Sequence, residues 1–488
     1  MQNSVEDSAV LAATAKPAKA NRFQLRLGER RAVLLLGDFA AALLSLALAL
    51  YFWGSSDRFF GFSIRFLEAR VPPWFYLLPL AWLILLIELH DIHSAADWGK
   101  TVRGIGAAAL FGFGLYLLLY FSYVESPRSL LPRRGVAGFL VSVSLLTLAW
   151  RRLYIQVFTA PQFLRRVLLV GGGHSGQILI NIYRQLKQPP FTLVGVVDDD
   201  PEKQDLSIED IPVIGTSEDL IRKIQENGIS DVIVAISGEM KGTMFQALLD
   251  VQQMGVEIIR MPVAYEELLG RVPIRLLEAD WILRSFVDQA RGSAFFELAK
   301  RLMDLAGGLA AMAFLIVLAP FISMAILLDD GFPILYRQTR LGRNGCPYSI
   351  LKFRTMRRDA EADGKPRWAK EDDERATRVG GFLRKTHLDE LPQFLNVLRG
   401  EMSLVGPRAE RPELVALFQK QVPFYRARLL VKPGITGWAQ VNFGYASTIE
   451  ETIIKLEYDL YYIKHRSLIL DILIILRTPA TVFGLRGR

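Results

Sequence analysis

Five apolar stretches limit what this chain can fold into. Four lie at about 32–53, 74–90, 105–124 and 135–158, and a fifth covers 302–328. Most are close to the roughly 20 residues a helix needs to cross hydrocarbon, where a backbone must satisfy its own hydrogen bonds. Hydrophobic residues make up 51% of the 488, yet 22% are charged, near the share found in soluble domains. The chain therefore joins membrane helices to water-exposed domains.

Charge placement orients the first four stretches. Lys16, Lys19, Arg22, Arg26 and Arg30 precede them, and Arg151, Arg152, Arg165 and Arg166 follow or close them. The excess of cations on the cytoplasmic side predicts that both ends of a four-helix block face the cytosol, against a weaker opposing vote from Arg133 and Arg134. Residues 1–30 then form a cytosolic basic tail, with no cleavage pattern of a signal peptide. Trp53, Trp74 and Tyr123 fit interfacial belts. Asp38, within the first stretch, is either functional or at the headgroups. One cysteine, Cys346, rules out an intrachain disulfide framework and a multi-cysteine zinc site. His90 and His93 around Asp91 read as interfacial loop residues rather than a metal site.

From 165 the pattern becomes strand, Gly-rich turn, helix: RRVLLVGGGHSGQILINIYRQL. Gly171, Gly173 and Gly176 match G-x-G-x-x-G, and FTLVGVVDDD ends in Asp198 at about the distance of a ribose-binding acid. IPVIGT, SDVIVAIS and GVEIIRMP read as further parallel strands of a Rossmann-like domain over 165–265. Tyr183 and Lys187 form a Y-x-x-x-K pair, but beside the phosphate loop, which is the wrong place for dehydrogenase chemistry. We expect a structural, regulatory or nucleotide-binding domain, followed by a linker over 266–295.

The fifth stretch contains Pro320, which removes a helix hydrogen bond and bends the helix. It reads equally as a kinked spanning helix or as a re-entrant hairpin over 300–328. Beyond it, Gln338, Arg340, Gly342 and Arg343 precede a strand, and Lys352, Arg354 and Thr355 end it. Arginine forks match phosphate oxygens. No aromatic platform or groove-reading helix accompanies them, so we expect a phosphorylated small substrate or lipid headgroup and no nucleic acid.

The run RKTHLDELPQFLNVLRGEMSLVGPR, 384–408, places Asp389 and Glu390 among Arg384, Lys385, Arg399 and Arg408. Adjacent carboxylates can divide labour, one attacking phosphorus to give an acyl phosphate and the other holding a cation or moving protons. Nearby cations would keep the nucleophile ionised and neutralise charge on the phosphoryl oxygens. Magnesium, held by one or two carboxylates and phosphate oxygens, normally assists.

KRLMD at 300–304, ILYRQTRLGRNG, LKFRTM, the 384–408 run and KPGITGWAQVN at 432–442 together resemble the bacterial sugar transferase family. These are monotopic polyprenol-phosphate hexose-1-phosphate transferases, and the whole chain resembles their large members. The resemblance implies four transmembrane helices in a bacterial inner (cytoplasmic) membrane, a cytosolic Rossmann-like domain, and a cytosolic catalytic α/β domain over 296–488 with a re-entrant helix. It implies transfer of hexose-1-phosphate from a UDP-hexose to undecaprenyl phosphate, releasing UMP and initiating exopolysaccharide or O-antigen repeat units. By motif position, Asp389 is the nucleophile and Glu390 its partner, both with magnesium. Arg354, Arg384 and Arg408 would bind phosphate, Lys300 and Arg301 would mark the start of the re-entrant helix near the headgroups, and Pro320 would break it. Gln338, Arg340 and Lys352 complete the expected substrate-binding set. His387 stands where Ser is common, and Ala319 where Ser precedes the proline. Membrane lipids are further partners, and a homodimer is compatible with this layout. The C-terminal sequence looks more like glucose- than galactose-transferring members. Two rival readings are a Rossmann sugar-nucleotide oxidoreductase and a non-catalytic regulator of polysaccharide assembly.

Overall fold

A computed structural model describes residues 25–90, 95–122, 132–158, 163–186, 188–236, 238–276, 293–357, 375–444 and 448–482. The chain divides into two units, 1–264 and 265–488. In the first, all four N-terminal apolar stretches are helical. Helices α1 (Leu27–Ser55), α4 (Trp98–Ser122) and α5 (Arg133–Phe158) are each long and apolar enough to cross a membrane. A short helix, α2 (Ile64–Arg70), precedes the second stretch, which is built from a 3-10 turn (Pro73–Leu77), α3 (Leu78–Leu85) and another 3-10 turn (Ile87–His90). Pro73 and Pro79 each open one of these pieces, where a missing N–H costs little.

Asp38 is neither exposed nor at a surface. Arg151 Nε and Nη2 donate to its two oxygens at 3.1 and 2.6 Å, and His90 Nε2 lies 3.0 Å from Oδ2. Arg151 also donates to the Leu89 carbonyl at 2.6 Å, so one cation ties three apolar segments together. Asp91, His93 and Tyr123 lie outside the described residues.

The Rossmann-like part is a six-stranded sheet in the order β3-β4-β2-β1-β5-β6. Its strands are β1 (Arg165–Val170), β2 (Phe191–Val197), β3 (Ser207–Ile208), β4 (Ile211–Gly215), β5 (Asp231–Val234) and β6 (Glu257–Arg260). Only the β3–β4 hairpin is antiparallel; helices α6 (His174–Gln185), α7 (Leu220–Asn227) and α8 (Gly242–Gln253) separate the parallel strands. Gly171 has φ +99°, and a side chain at Gly176 would collide with the Gly171 carbonyl, so both glycines are required by the turn. Asp198 faces this turn: its Oδ2 accepts from Gly172 N at 2.7 Å and from Lys203 Nζ at 3.1 Å. Tyr183 accepts from Leu193 N at 3.3 Å and stacks on Phe191, which makes it a brace between helix and sheet; Lys187 lies outside the described residues.

The second unit begins earlier than expected. In the segment anticipated as linker, Val272 and Ile274 are core residues packed with Val405, Phe418, Leu456 and Leu460. Glu266 pairs with Lys464 at 2.7 Å, and Trp438 Nε1 donates to the Gly270 carbonyl at 2.7 Å. Residues 266–276 are therefore part of this unit's body.

The long helix α9 (Ala294–Asp330) runs through Pro320 without a change of helical class. Gly308, Leu315, Ile322 and Ile326 form its buried stripe at helical spacing, and the last three pack with Phe353 and Leu383. Its other faces expose Leu309, Ile316, Val317, Phe321, Met324 and Leu328. Both ends are fastened to the same unit. Near the start, Asp304 Oδ1 accepts from Ser403 Oγ and Leu404 N, both at 2.9 Å. At the end, Arg354 donates to the Asp330 and Gly331 carbonyls at 3.0 and 2.6 Å, and Asp329 accepts from Val379 N at 2.9 Å.

Beyond α9 come the hairpin β7 (Leu335–Leu341) and β8 (Pro347–Phe353), and a parallel pair, β9 (Ser403–Val405) with β10 (Gly434–Thr436). Around them lie α10 (Arg378–Lys385), α11 (Phe394–Arg399), α12 (Pro412–Gln421), α13 (Trp438–Asn442), α14 (Ile449–Lys464) and α15 (Leu468–Val482).

Two stability predictions follow from buried charge. Arg151→Leu leaves Asp38 buried without its main partner, which costs about 3–5 kcal/mol. Removing both groups in Asp38→Leu/Arg151→Leu should cost less than Arg151→Leu alone, as measured by thermal unfolding of the full chain in detergent. Burial pushes the Glu457 carboxyl up to about 7, against the opposing Arg271 and the Tyr265 hydroxyl. The folded state then binds a proton that the unfolded state has released, so this group's stabilisation is present at low pH and lost between the ordinary carboxylate range and about 7. Glu457→Gln should flatten that fall in a pH series of melting temperatures.

Candidate active site

The Asp389–Glu390 pair sits on a short 3-10 segment (Leu388–Gln393) wedged between α10 and α11. Thr377 caps α10 by accepting from Gly380 N at 2.9 Å. His387 then turns the chain with φ 56°, in the left-handed region unusual for such a residue. Pro392 cannot donate an N–H, which favours this tight turn before α11 begins. Asp389 ends 8% exposed, and the Glu390 carboxylate, though not sealed off, is largely covered.

Cations reach the pair from two other elements. Lys352, at the end of β8, donates to Glu390 Oε1 at 2.6 Å. Arg408, in the Gly-Pro-Arg turn after β9, donates to the same oxygen at 2.9 Å. Burial would raise the Glu390 pKa, but Lys352 and Arg408 overcome it and hold Glu390 well below the usual carboxylate range. Asp389 goes the other way: burial raises it, the Glu390 carboxylate raises it further, and Lys352 only partly opposes this. This corrects the expectation that the flanking cations hold Asp389 itself low. A carboxylate with a raised pKa is the more basic of the two, and so the better nucleophile once ionised.

The expected residues separate into three groups. Lys352 and Arg408 join Glu390. Gln338, Arg340 and Lys352 lie on one face of the β7–β8 hairpin, since each pairs across it in register with Ile350, Tyr348 or Tyr336. Arg340 donates to Gln338 Oε1 at 2.7 Å and to the Ala409 carbonyl at 3.2 Å, so it supports the Arg408 turn. Lys300 and Arg354 serve the long helix instead. Lys300 is buried on Asp471 at 2.7 Å, the Val405 carbonyl at 3.1 Å and the Tyr462 hydroxyl at 3.3 Å, which corrects its assignment to substrate. Arg354 closes the end of α9, with Nη1 left buried and without a hydrogen-bond partner among the described residues. Arg301 donates to the Val397 and Leu398 carbonyls, both at 2.7 Å, at the end of α11. Arg384 is half-buried in the last turn of α10.

Several supporting residues escaped the sequence reading. Asn396 is fully buried; its side chain accepts from Leu351 N at 3.2 Å and donates to the Ser349 carbonyl at 2.8 Å and to Glu401 at 2.7 Å. It fixes the edge of β8 on which Lys352 is carried. Arg428 Nη2 donates to the Arg408 carbonyl at 3.0 Å and pairs with Asp459 at 2.9 Å, while Nη1 meets the Tyr425 hydroxyl at 2.7 Å. Glu410 O accepts from Leu341 N at 3.1 Å, and its carboxylate pairs with Lys455 at 3.0 Å and Arg428 at 3.4 Å. Burial opposes ionisation of Glu410, but Lys455 and Arg428 outweigh it and draw its carboxyl down to about 2. Three consecutive carbonyls of the Arg408 turn are thus gripped from outside.

No three His, Cys, Asp or Glu residues converge to hold a metal among the described residues. Two adjacent carboxylates fit a hard cation completed by phosphate oxygens, and do not fit a cation caged by protein alone.

A family model described as bacterial sugar transferase matches residues 295–485, and one described as CoA-binding domain matches 92–262. The UDP-glucose:undecaprenyl-phosphate glucose-1-phosphate transferase of Xanthomonas campestris pv. campestris is 30% identical over 72% of this chain and 74% of its own. The Escherichia coli (strain K12) protein of the same description is 32% identical over 64% of this chain and 67% of its own. The UDP-N-acetylgalactosamine-undecaprenyl-phosphate N-acetylgalactosaminephosphotransferase of Aeromonas hydrophila is 41% identical over 45% of this chain; the match spans about half of that relative, 52%. The family model and these relatives define the class of a phosphoglycosyl transferase. The chain belongs to the bacterial sugar transferase family.

Arg428→Lys should lower kcat/KM on the order of ten-fold by loosening the Arg408 turn. In an Arg408→Ala background the same change should cost little, because its effect passes through Arg408. A cost that persists undiminished there would mark Arg428 as a stabilising residue only.

Proposed function

We propose that the protein transfers hexose-1-phosphate from a UDP-hexose to undecaprenyl phosphate, with Asp389 as covalent nucleophile. The observation that carries this reading is the division between the two carboxylates. Glu390 is fixed as an anion by Lys352 and Arg408, while Asp389, buried beside it, makes no salt bridge among the described residues. An Asp389 oxygen attacks the phosphorus that bears the hexose. The bond from that phosphorus to the UMP oxygen breaks, and UMP leaves. An oxygen of undecaprenyl phosphate then attacks the acyl phosphate, the bond to Asp389 breaks, and a lipid-linked diphosphate sugar forms. In this reading Lys352 and Arg408 offset charge on the phosphoryl oxygens. Magnesium bound by Asp389 or Glu390 would supply further charge neutralisation at the phosphates.

Glucose is the first choice of sugar, because relatives matched over 72% and 64% of this chain carry glucose in their descriptions. The relatives described as N-acetylgalactosamine transferases are matched over 45% and 27% of this chain. Parallel assays of UMP release from UDP-glucose, UDP-galactose, UDP-N-acetylgalactosamine and UDP-N-acetylglucosamine decide the sugar. Initiation of an exopolysaccharide or O-antigen repeat unit is the role this reaction fits.

UDP-sugars are cytosolic, so the reading needs Asp389 on the cytosolic face and α9 entering and leaving by that face. The attachment of both ends of α9 to one unit supports re-entry. Cysteines placed at positions 295 and 335 in a Cys346→Ser background should both label only from the cytosol.

Asp389→Asn should reduce transfer by several orders of magnitude, since an amide does not attack phosphorus. A clean preparation retaining more than a few per cent of wild-type UMP release would remove the covalent role.

A further inference from the structure

The transferase reaction joins two phosphates, yet the cluster at Glu390 gathers cations around one place. A second group of cations lies at the far end of α11. Gly400 ends that helix with φ +85°, and its bare Cα faces two cationic heads. A Cβ built there would lie 3.6 Å from both Arg301 Nη2 and Lys432 Nζ. Arg343, at the β7–β8 turn, contributes a third positive charge to Lys432, and burial together with Arg301 and Arg343 lowers the Lys432 pKa against the opposing carboxylates of Asp304 and Glu297. Among the described residues Lys432 makes no hydrogen bond or ion pair, and Arg301 bonds only to carbonyls. Cations crowded in this way are stabilised by an anion that bridges them.

Two further observations indicate which anion. The backbone beside Lys432 touches the catalytic turn: Gly434 N donates to the Pro407 carbonyl at 2.9 Å, next to Arg408. Arg301 stands on α9 beside Leu298 and Leu302, which are 59% and 58% exposed, with Phe295 further out at 77%. A ligand reaching Arg301 from that side arrives along an apolar surface.

We propose that Lys432, Arg301 and Arg343 form a second phosphate subsite, set to receive the phosphate of a membrane lipid. The charge cluster stands apart from the transferase reading; only the choice of the acceptor as its ligand rests on that reading. A polyprenyl phosphate and an anionic phospholipid headgroup share this chemistry.

Melting of the purified full chain in neutral detergent separates them. Undecaprenyl phosphate, phosphatidylglycerol and uncharged undecaprenol are titrated in parallel into wild type, Lys432→Gln, Arg343→Gln and the double variant. The wild type should be stabilised by a phosphate-bearing lipid and not by undecaprenol. The double variant should need on the order of ten-fold more of that lipid, the equivalent of one lost charge-assisted contact, and Lys432→Arg should restore much of the response. A response to undecaprenyl phosphate alone assigns the acceptor; an equal response to phosphatidylglycerol assigns a headgroup. Equal titrations in wild type and double variant would overturn the subsite. Thermal melting does not depend on turnover, so a wild type that binds lipid but releases no UMP contradicts the transferase reading and leaves the subsite standing.

Discussion

A carboxylate withdrawn from water has to be met by positive charge or lose its own. Glu390 is met twice, by Lys352 from a β-hairpin and by Arg408 from a turn after a parallel strand pair. Those elements are held in turn by buried polar side chains. Asn396 fixes the hairpin edge, Arg428 and Arg340 grip the turn, and Asp304 and Lys300 fasten the strand before it to the membrane helix. The strands of this unit are short, β9 and β10 only three residues each, and polar side chains do much of the work that long strands would do elsewhere.

This arrangement also explains why the two neighbouring acids differ. They share a turn and are both largely covered, but only Glu390 forms ion pairs with Lys352 and Arg408. Asp389 keeps a raised pKa next to a fixed negative charge. Separation of two carboxyls by environment is how one site obtains two chemical roles from one residue type.

Much of this was legible in the sequence, for identifiable reasons. The strands RRVLLV, FTLVGVV, DVIV and EIIR each carry a short apolar run rich in Val, Ile or Leu between turn signals, and all appear. The Asp389–Glu390 pair and Arg408 were visible as local charge clustering, whereas Lys352 stood in a separate basic stretch 38 residues away and only folding brings it to Glu390. Asn396, Arg428, Glu410 and Asp459 were not, because their partners lie up to tens of residues away and only tertiary folding joins them. Lys300 misled for the opposite reason. A lysine beside an apolar helix looks like a headgroup contact, and nothing local points to Asp471. Residues 266–276 fell within the expected linker, yet two of them, Val272 and Ile274, are in the core, and nothing local shows that their partners are Val405, Phe418 and Leu460.

The Rossmann-like turn carries a consequence of its own. Its Gly172 amide, of the kind that meets a ligand's pyrophosphate in dinucleotide-binding proteins, already holds the Asp198 carboxylate, and Lys203 neutralises that carboxylate from the other side. The loop is self-liganded. An incoming phosphate would compete with an anion covalently part of the chain, present at a fixed and very high local concentration. The glycine pattern here thus preserves the shape of a binding turn while the chain's own acid occupies the charge.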